Sequence, residues 1–277
     1  MIFDFGSGPV PAHRHVNPDG TVGGWVADTA YVASTVTIGP DARVSENASV
    51  HDDVILLGNA DISGNAMVDG YAFIGDYVTI GDSAKIHDRV EITGHAKVFG
   101  YAELSGRAKI RDNVSIKGYV RISDEAVIVD SARLAGEATV KQMAAICGHA
   151  VIDGHAIITG MAMVDGFSSV TGRAVINDCA YVFGDVEISD YATISGQAKI
   201  FGNARIANHA NIDGESRVGD HAFIGGCARL GGSVWVCDHA KLIGEARVDG
   251  DGFVGGHTVI NKTQKIDSPA HQSPLKL

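Results

Sequence analysis

No stretch of this 277-residue chain carries enough consecutive apolar residues to cross a bilayer as a helix. Nor does a basic start lead into an apolar run at the N-terminus, so no Sec-type signal is read there. Positive charge is also short. There are 22 Lys and Arg against 33 Asp and Glu, and the net charge of −11 argues against a nucleic-acid partner. No basic run suggests an anionic membrane surface. Aromatics make up 6% of the residues, too few for an ordinary globular core of this length. No G-x-S-x-G, P-loop or dinucleotide fingerprint is present, and the calcium-binding nonapeptide repeat is absent. Helical periodicity is missing as well, because apolar residues do not recur near every 3.6 positions.

What the chain has instead is a repeat of six. From Val26 to Ile266, all forty-one positions in one phase are Ile, Val or Leu. The fourth place after each is Ala or Val in thirty-five of the forty hexads. The second place after each is Gly in twenty-two and Asp in twelve, residues that tolerate left-handed backbone angles. In an extended strand, residues two apart share a face, so a small residue and the aliphatic two places later both point inward. Each hexad is then one short side of a coil, closed by a tight bend. Three sides make a triangular coil of eighteen residues, and about thirteen such coils stacked as parallel strands give a rod about 60–65 Å long. A narrow prism of this kind has no room for large rings, which accounts for the scarcity of aromatics.

An aliphatic residue, often Gly next, two free places and a small residue resembles the signature of the hexapeptide-repeat proteins. The resemblance covers Val26 to Ile266 and implies an all-β fold, a left-handed parallel β-helix. Right-handed triangular β-helices such as the bactofilins share similar spacing. The stretch Gly23–Val26 also resembles the approach to the repeat in a little-studied hexapeptide group assigned acetyltransferase activity by inference.

Three segments are expected: a cap or anchoring segment at residues 1–25, the β-helix at residues 26–266, and an extended tail at residues 267–277. Ile2, Phe3, Phe5, Val10 and Trp25 are apolar enough to cover an exposed first coil. His13, Arg14 and His15 are read as part of that cap rather than as a site. Neighbours between coils are eighteen apart, and no pair among Cys147, Cys179, Cys227 and Cys237 has that spacing. Free thiols in a reducing compartment follow. The address read from this is cytoplasmic, or assembled into a virion.

Outward positions supply the candidate sites. Between Val127 and Tyr181 the place before each aliphatic residue turns apolar, with Val127, Ala145, Val151, Ile157, Met163, Val175 and Tyr181. This belt is read as a contact with other copies or a protein partner. His221, His239 and His257 are eighteen apart and stack along one edge. They are the candidate bases or metal ligands, weighed against a plain surface ladder; no metal and no cofactor is assigned. Arg229, Arg247 and Lys265 form a second column suited to phosphate groups. The sequence favours a non-enzymatic interaction rod, for example a phage tail component, because no loop interrupts the hexads. The alternative implied by the family resemblance is a trimeric acyltransferase using acyl-coenzyme A, and a polymerising scaffold is a third.

Overall fold

The computed structural model describes the backbone of residues 1–266 and the side chains of residues 1–263. The expected tail at residues 267–277 lies outside the described residues. Every regular element described is a β-strand. Two compact units are present, Met1–Gly154 and His155–Leu277.

In each unit the six-residue repeat becomes a strand of two residues followed by a bend. Within the first unit, Thr79 pairs in parallel with Asp61 on one side and Lys97 on the other, eighteen residues away in each direction. Within the second, Arg217 stands between Lys199 and Trp235 at the same spacing. Both units are therefore parallel β-solenoids of three faces. The inward pairs are fully buried, as Ala72 with Ile74 and Ala198 with Ile200 illustrate. Where the small residue is Ser, at Ser168 and Ser216, it is equally buried, and the Ser216 hydroxyl donates to the Asp213 carbonyl at 2.7 Å.

Two sets of hydrogen bonds hold the turns. Strand N–H groups donate one turn ahead, as Thr79 does to the Ala96 carbonyl at 3.0 Å. The bend residue has positive φ, 79° at Gly94 and 55° at Asp76. An Asp there also accepts the bend N–H of the next turn, for instance Gly94 N–H to Asp76 Oδ2 at 2.9 Å. The recurrent Asp thus satisfies a bend N–H of the next turn and needs no metal to explain it.

The first turn is closed by antiparallel strands. β1 (Ile2–Asp4) pairs with β2 (Pro9–Val16), and β2 with β3 (Val22–Ala27), which then pairs in parallel with Arg43–Val44. Phe3 stacks on Trp25 at 4.5 Å and meets Phe5 edge-on at 4.9 Å, but Ile2 is 65% exposed and Val10 is exposed too. Polar groups do the finer sealing. The buried His15 ring bonds the Val36 carbonyl at 2.9 Å. The Asn17 amide accepts from Ile38 N–H at 2.8 Å and donates to the Ile38 carbonyl at 3.2 Å, copying a strand's hydrogen bonding.

The last turn departs from the expected register. Arg247–Gly250 pairs with Thr263–Ile266, so Arg247 faces Thr263, sixteen residues on. Ile266 consequently stands beside Gly250 rather than Val248. The hexad loses its inward small residue here. Thr258 is exposed and its hydroxyl turns to the Gly255 carbonyl at 2.7 Å. The hexad of Thr258 itself still pairs at eighteen, Val259 with Lys241, and the slip falls in the strand that follows.

A Cβ at Gly94 would lie 2.6 Å from the Asp112 amide nitrogen, whereas one at Gly256 meets nothing within 4 Å. Both have positive φ, so Gly256→Ala should cost about 1–2 kcal/mol for the backbone angle alone. Gly94→Ala should cost a further ~1–3 kcal/mol from overpacking. Urea titrations monitored by circular dichroism check this, and equal losses would contradict the stacking of bend on bend.

Candidate functional site

The second unit holds the candidate catalytic and phosphate-binding residues. One turn runs from Trp235 round a corner at His239 to Lys241, then past Glu245 to Arg247, and round to Phe253. Three faces result. The Trp235 face carries Met163, Tyr181, Lys199, Arg217, Trp235 and Phe253 in register. The Arg247 face carries Asn211, Arg229 and Arg247. The Lys241 face carries Phe223 and Lys241.

His221, His239 and His257 stack at the corner between the Trp235 and Lys241 faces. Successive ring centroids are 5.1 Å apart and the rings lie within 5° of parallel. All three are exposed. Parallel rings at this distance aim their nitrogens side by side. A metal at about 2.1 Å from each of two nitrogens needs them no more than about 4.2 Å apart. The column as it stands suits proton exchange or stacking better than chelation.

Arg229 and Arg247 do stand one above the other. The expected third cation does not continue the column, because Lys265 pairs along the backbone with Asp249; its side chain lies outside the described residues. Gly231 lies between Asp213 and Asp249, whose Oδ1 atoms would be 3.2 and 3.3 Å from a Cβ placed there. The result is an open notch of about 290 Å³ in which two guanidinium groups face two carboxylates. Its charge is balanced, which weakens it as an anion site. It also lies on the face opposite the His corner, so one copy cannot direct both groups at one acceptor.

The Trp235 face adjoins the His corner, and the sequence reading passed over it. Lys199 and Arg217 are neighbours in register, and no ion pair involves either among the described residues. Like charges directly opposite one another are unfavourable unless an anion offsets them. Tyr181 precedes this pair, stacked on Phe183 at 4.6 Å. Trp235 follows it, 42% exposed and edge-on to Phe253, which is 52% exposed, at 5.6 Å. Beside them the Phe201 ring covers Gly219 and the Phe253 ring covers Gly255, with Cys237 buried between. Two carboxylates stand nearby at the corner, but both accept backbone N–H groups: Asp220 from Asp238 at 3.2 Å, and Asp238 from Gly256 at 2.7 Å.

The Cys237 sulfur lies within 4.8 Å of carboxylate oxygens of Asp220 and Asp238. Burial first, then the charges of Asp238 and Asp220, push this thiol up to about 12, so it stays protonated at neutral pH and is a poor nucleophile.

In the apolar belt, Ile157 and Met163 are exposed, while Val127, Ala145, Val151, Val175 and Tyr181 are half-buried. More surface is offered at the bends by Met143 and Met161, each 58% exposed, and by Phe167 at 66%.

No family model matches the chain, and no curated protein matches it. Solved structures do. A UDP-N-acetylglucosamine acyltransferase from Campylobacter jejuni matches with 21% identity over 57% of this chain and 66% of its own, at a TM-score of 0.41. The chain thus spans just under two thirds of that enzyme. An Arabidopsis UDP-N-acetylglucosamine acyltransferase matches with 14% identity over 79% of this chain and 70% of its own, at a TM-score of 0.33. At such values the likeness decides nothing about chemistry, and the fold rests on the hydrogen-bond register. No helix among the described residues is long and apolar enough to cross a membrane.

The thiols give a check on this corner. At pH 8, iodoacetamide should label the exposed Cys179 and Cys227 within minutes and leave Cys237, 4% exposed, unmodified until the chain is unfolded. Peptide mass mapping reads this out, and rapid labelling of Cys237 would show the corner to be open.

Proposed function

We propose that the chain is a subunit of an acyl-coenzyme A-dependent acyltransferase whose site forms only between copies. One observation carries this reading: an exposed imidazole column borders a face on which unpaired cations sit between the half-buried Tyr181 and the exposed Trp235. Acyl transfer needs a base beside a bound acceptor and a place for the donor. Lys199 and Arg217 suit the donor's phosphates, Trp235 and Phe253 offer its base a stacking surface, and His221 or His239 supplies the proton acceptor. One copy leaves all of these open to water.

A closed ring of copies supplies the missing wall. Seen from one three-sided subunit, a three-fold ring engages a corner and an adjoining face, through a heterologous contact that closes on itself. The His corner of one copy against the Trp235 face of the next meets that condition. The His corner against the opposite Arg247 face makes an open row instead. Met163 and Tyr181 extend the Trp235 face and give the contact apolar area, which is the part of the belt this reading uses.

A second reading, an interaction rod without activity, is favoured by the short bends between strands. Light scattering combined with calorimetry separates the two. The ring reading expects a trimer that binds acetyl-coenzyme A at micromolar concentration. Arg217→Ala should weaken that binding at least about tenfold. His239→Ala should leave it in place but abolish transfer. A monomer giving no heat at millimolar donor would leave the rod reading standing.

A further inference from the structure

We infer that the first unit carries a separate binding site for a small phosphate-bearing molecule, on the face that holds Lys97. The site is an open groove of about 780 Å³, lined by His95, Lys97, Ser115, Lys117, Arg133 and Asp153 among others. Its origin lies in the repeat. Lys97, Ser115 and Arg133 occupy consecutive turns of one outward column, and the short Ser115 leaves a gap between two long cations. Lys117 is two residues beyond Ser115, so its side chain leaves the same face of the strand beside that gap. Lys97 and Arg133, two turns apart, have backbones about 10 Å from one another. Flexible side chains of their length close that span onto a diphosphate.

Charge selects the ligand. The chain as a whole is at −11, yet this groove gathers three cations against the single lining carboxylate of Asp153. That carboxylate is already engaged, accepting Gly154 N–H at 2.6 Å. No ion pair involves Lys97, Lys117 or Arg133 among the described residues, whereas Arg43, Arg107, Arg111 and Arg121 of the same unit each have an acidic partner. Arg14, Lys85, Arg89, Lys109 and Lys141 of this unit have no ion pair among the described residues either; Lys97, Lys117 and Arg133 are set apart by lining one groove together. His95 closes the rim, its ring held flat against Tyr77 at 4.8 Å. The balanced notch at Gly231 has two carboxylates for its two guanidinium groups and lacks this excess.

Calorimetry on the full chain with inorganic pyrophosphate, in low salt, tests the site. Binding is expected. It should weaken at least about tenfold in Lys117→Gln and in Arg133→Gln, and Lys117→Arg should retain it. Raising salt to about 0.2 M should weaken it further, since the cations are exposed. ADP and sulfate in place of pyrophosphate distinguish a nucleotide site from a bare diphosphate site and from general anion attraction. Equal affinity for sulfate would overturn the assignment to a phosphate-bearing ligand. Absence of heat would overturn the site itself. Binding lost in Arg217→Gln but not in Arg133→Gln would overturn its location and place the anion on the Trp235 face. All of these substitutions are at exposed positions, and an unchanged melting temperature confirms that the variants fold.

Discussion

Most of this fold depends on one backbone demand: from Glu46 onward the sides of the coil end in bends of positive φ, which most residues resist. Gly meets it without strain, and Asp meets it at a small cost that its carboxylate offsets by accepting the next turn's N–H. The bend sets the length of the side, the length of the side sets which residues face inward, and the inward Ala and Ile then fill the prism. Because strand N–H groups donate one turn ahead, each turn is stable only with the next one in place. The two ends are where the demand goes unmet, and each is handled differently. At the start, antiparallel strands and the side chains of His15 and Asn17 occupy the open edge. At the end, the inward corner residue is lost and the turn shortens by two residues.

A solenoid of this kind makes surface chemistry in columns. Any outward residue is set beside its counterpart eighteen places on, so charges, rings and gaps are either repeated or interrupted along a face. Arg205 beside Glu187, at 2.8 Å, shows the ordinary outcome, a cross-turn pair of the sort that contributes little at an exposed site. Lys199 beside Arg217 shows the unusual one, two cations with aromatics before and after them.

The solenoid was legible because its determinants are local and periodic: a bend residue, two free places and an inward pair can be read from six letters. The stacked columns were legible for the same reason, and His221, His239 and His257 do stack. What escaped was whatever depends on two unlike columns meeting. Trp235, Arg217 and Lys199 share a face but not a residue type, so a search for repeated letters passed them by. The Asn17 amide copies a strand from outside the repeat, which no periodicity marks. Lys265 fell out of its column because the phase of the letters ran on to Ile266 while the hydrogen bonds slipped by two residues.

The separation of the His corner from the Arg247 face decides more than it first suggests. Columns that a sequence places a few residues apart lie on opposite sides of a triangular section whenever one bend and one full side intervene, as between His239 and Arg247. Proximity in the chain is therefore a poor guide to proximity in space in this fold, whereas the order of faces round the turn is a good one. Two groups act together within one copy only if they share a face or an adjoining corner. Across a closed ring, the same rule pairs a corner with a neighbouring face and never with the far one. The Trp235 face satisfies it and the Arg247 face does not, although the second has the more conspicuous arginines. Conspicuous repeats record the spacing of the fold, and chemistry has to be sought where adjoining columns differ.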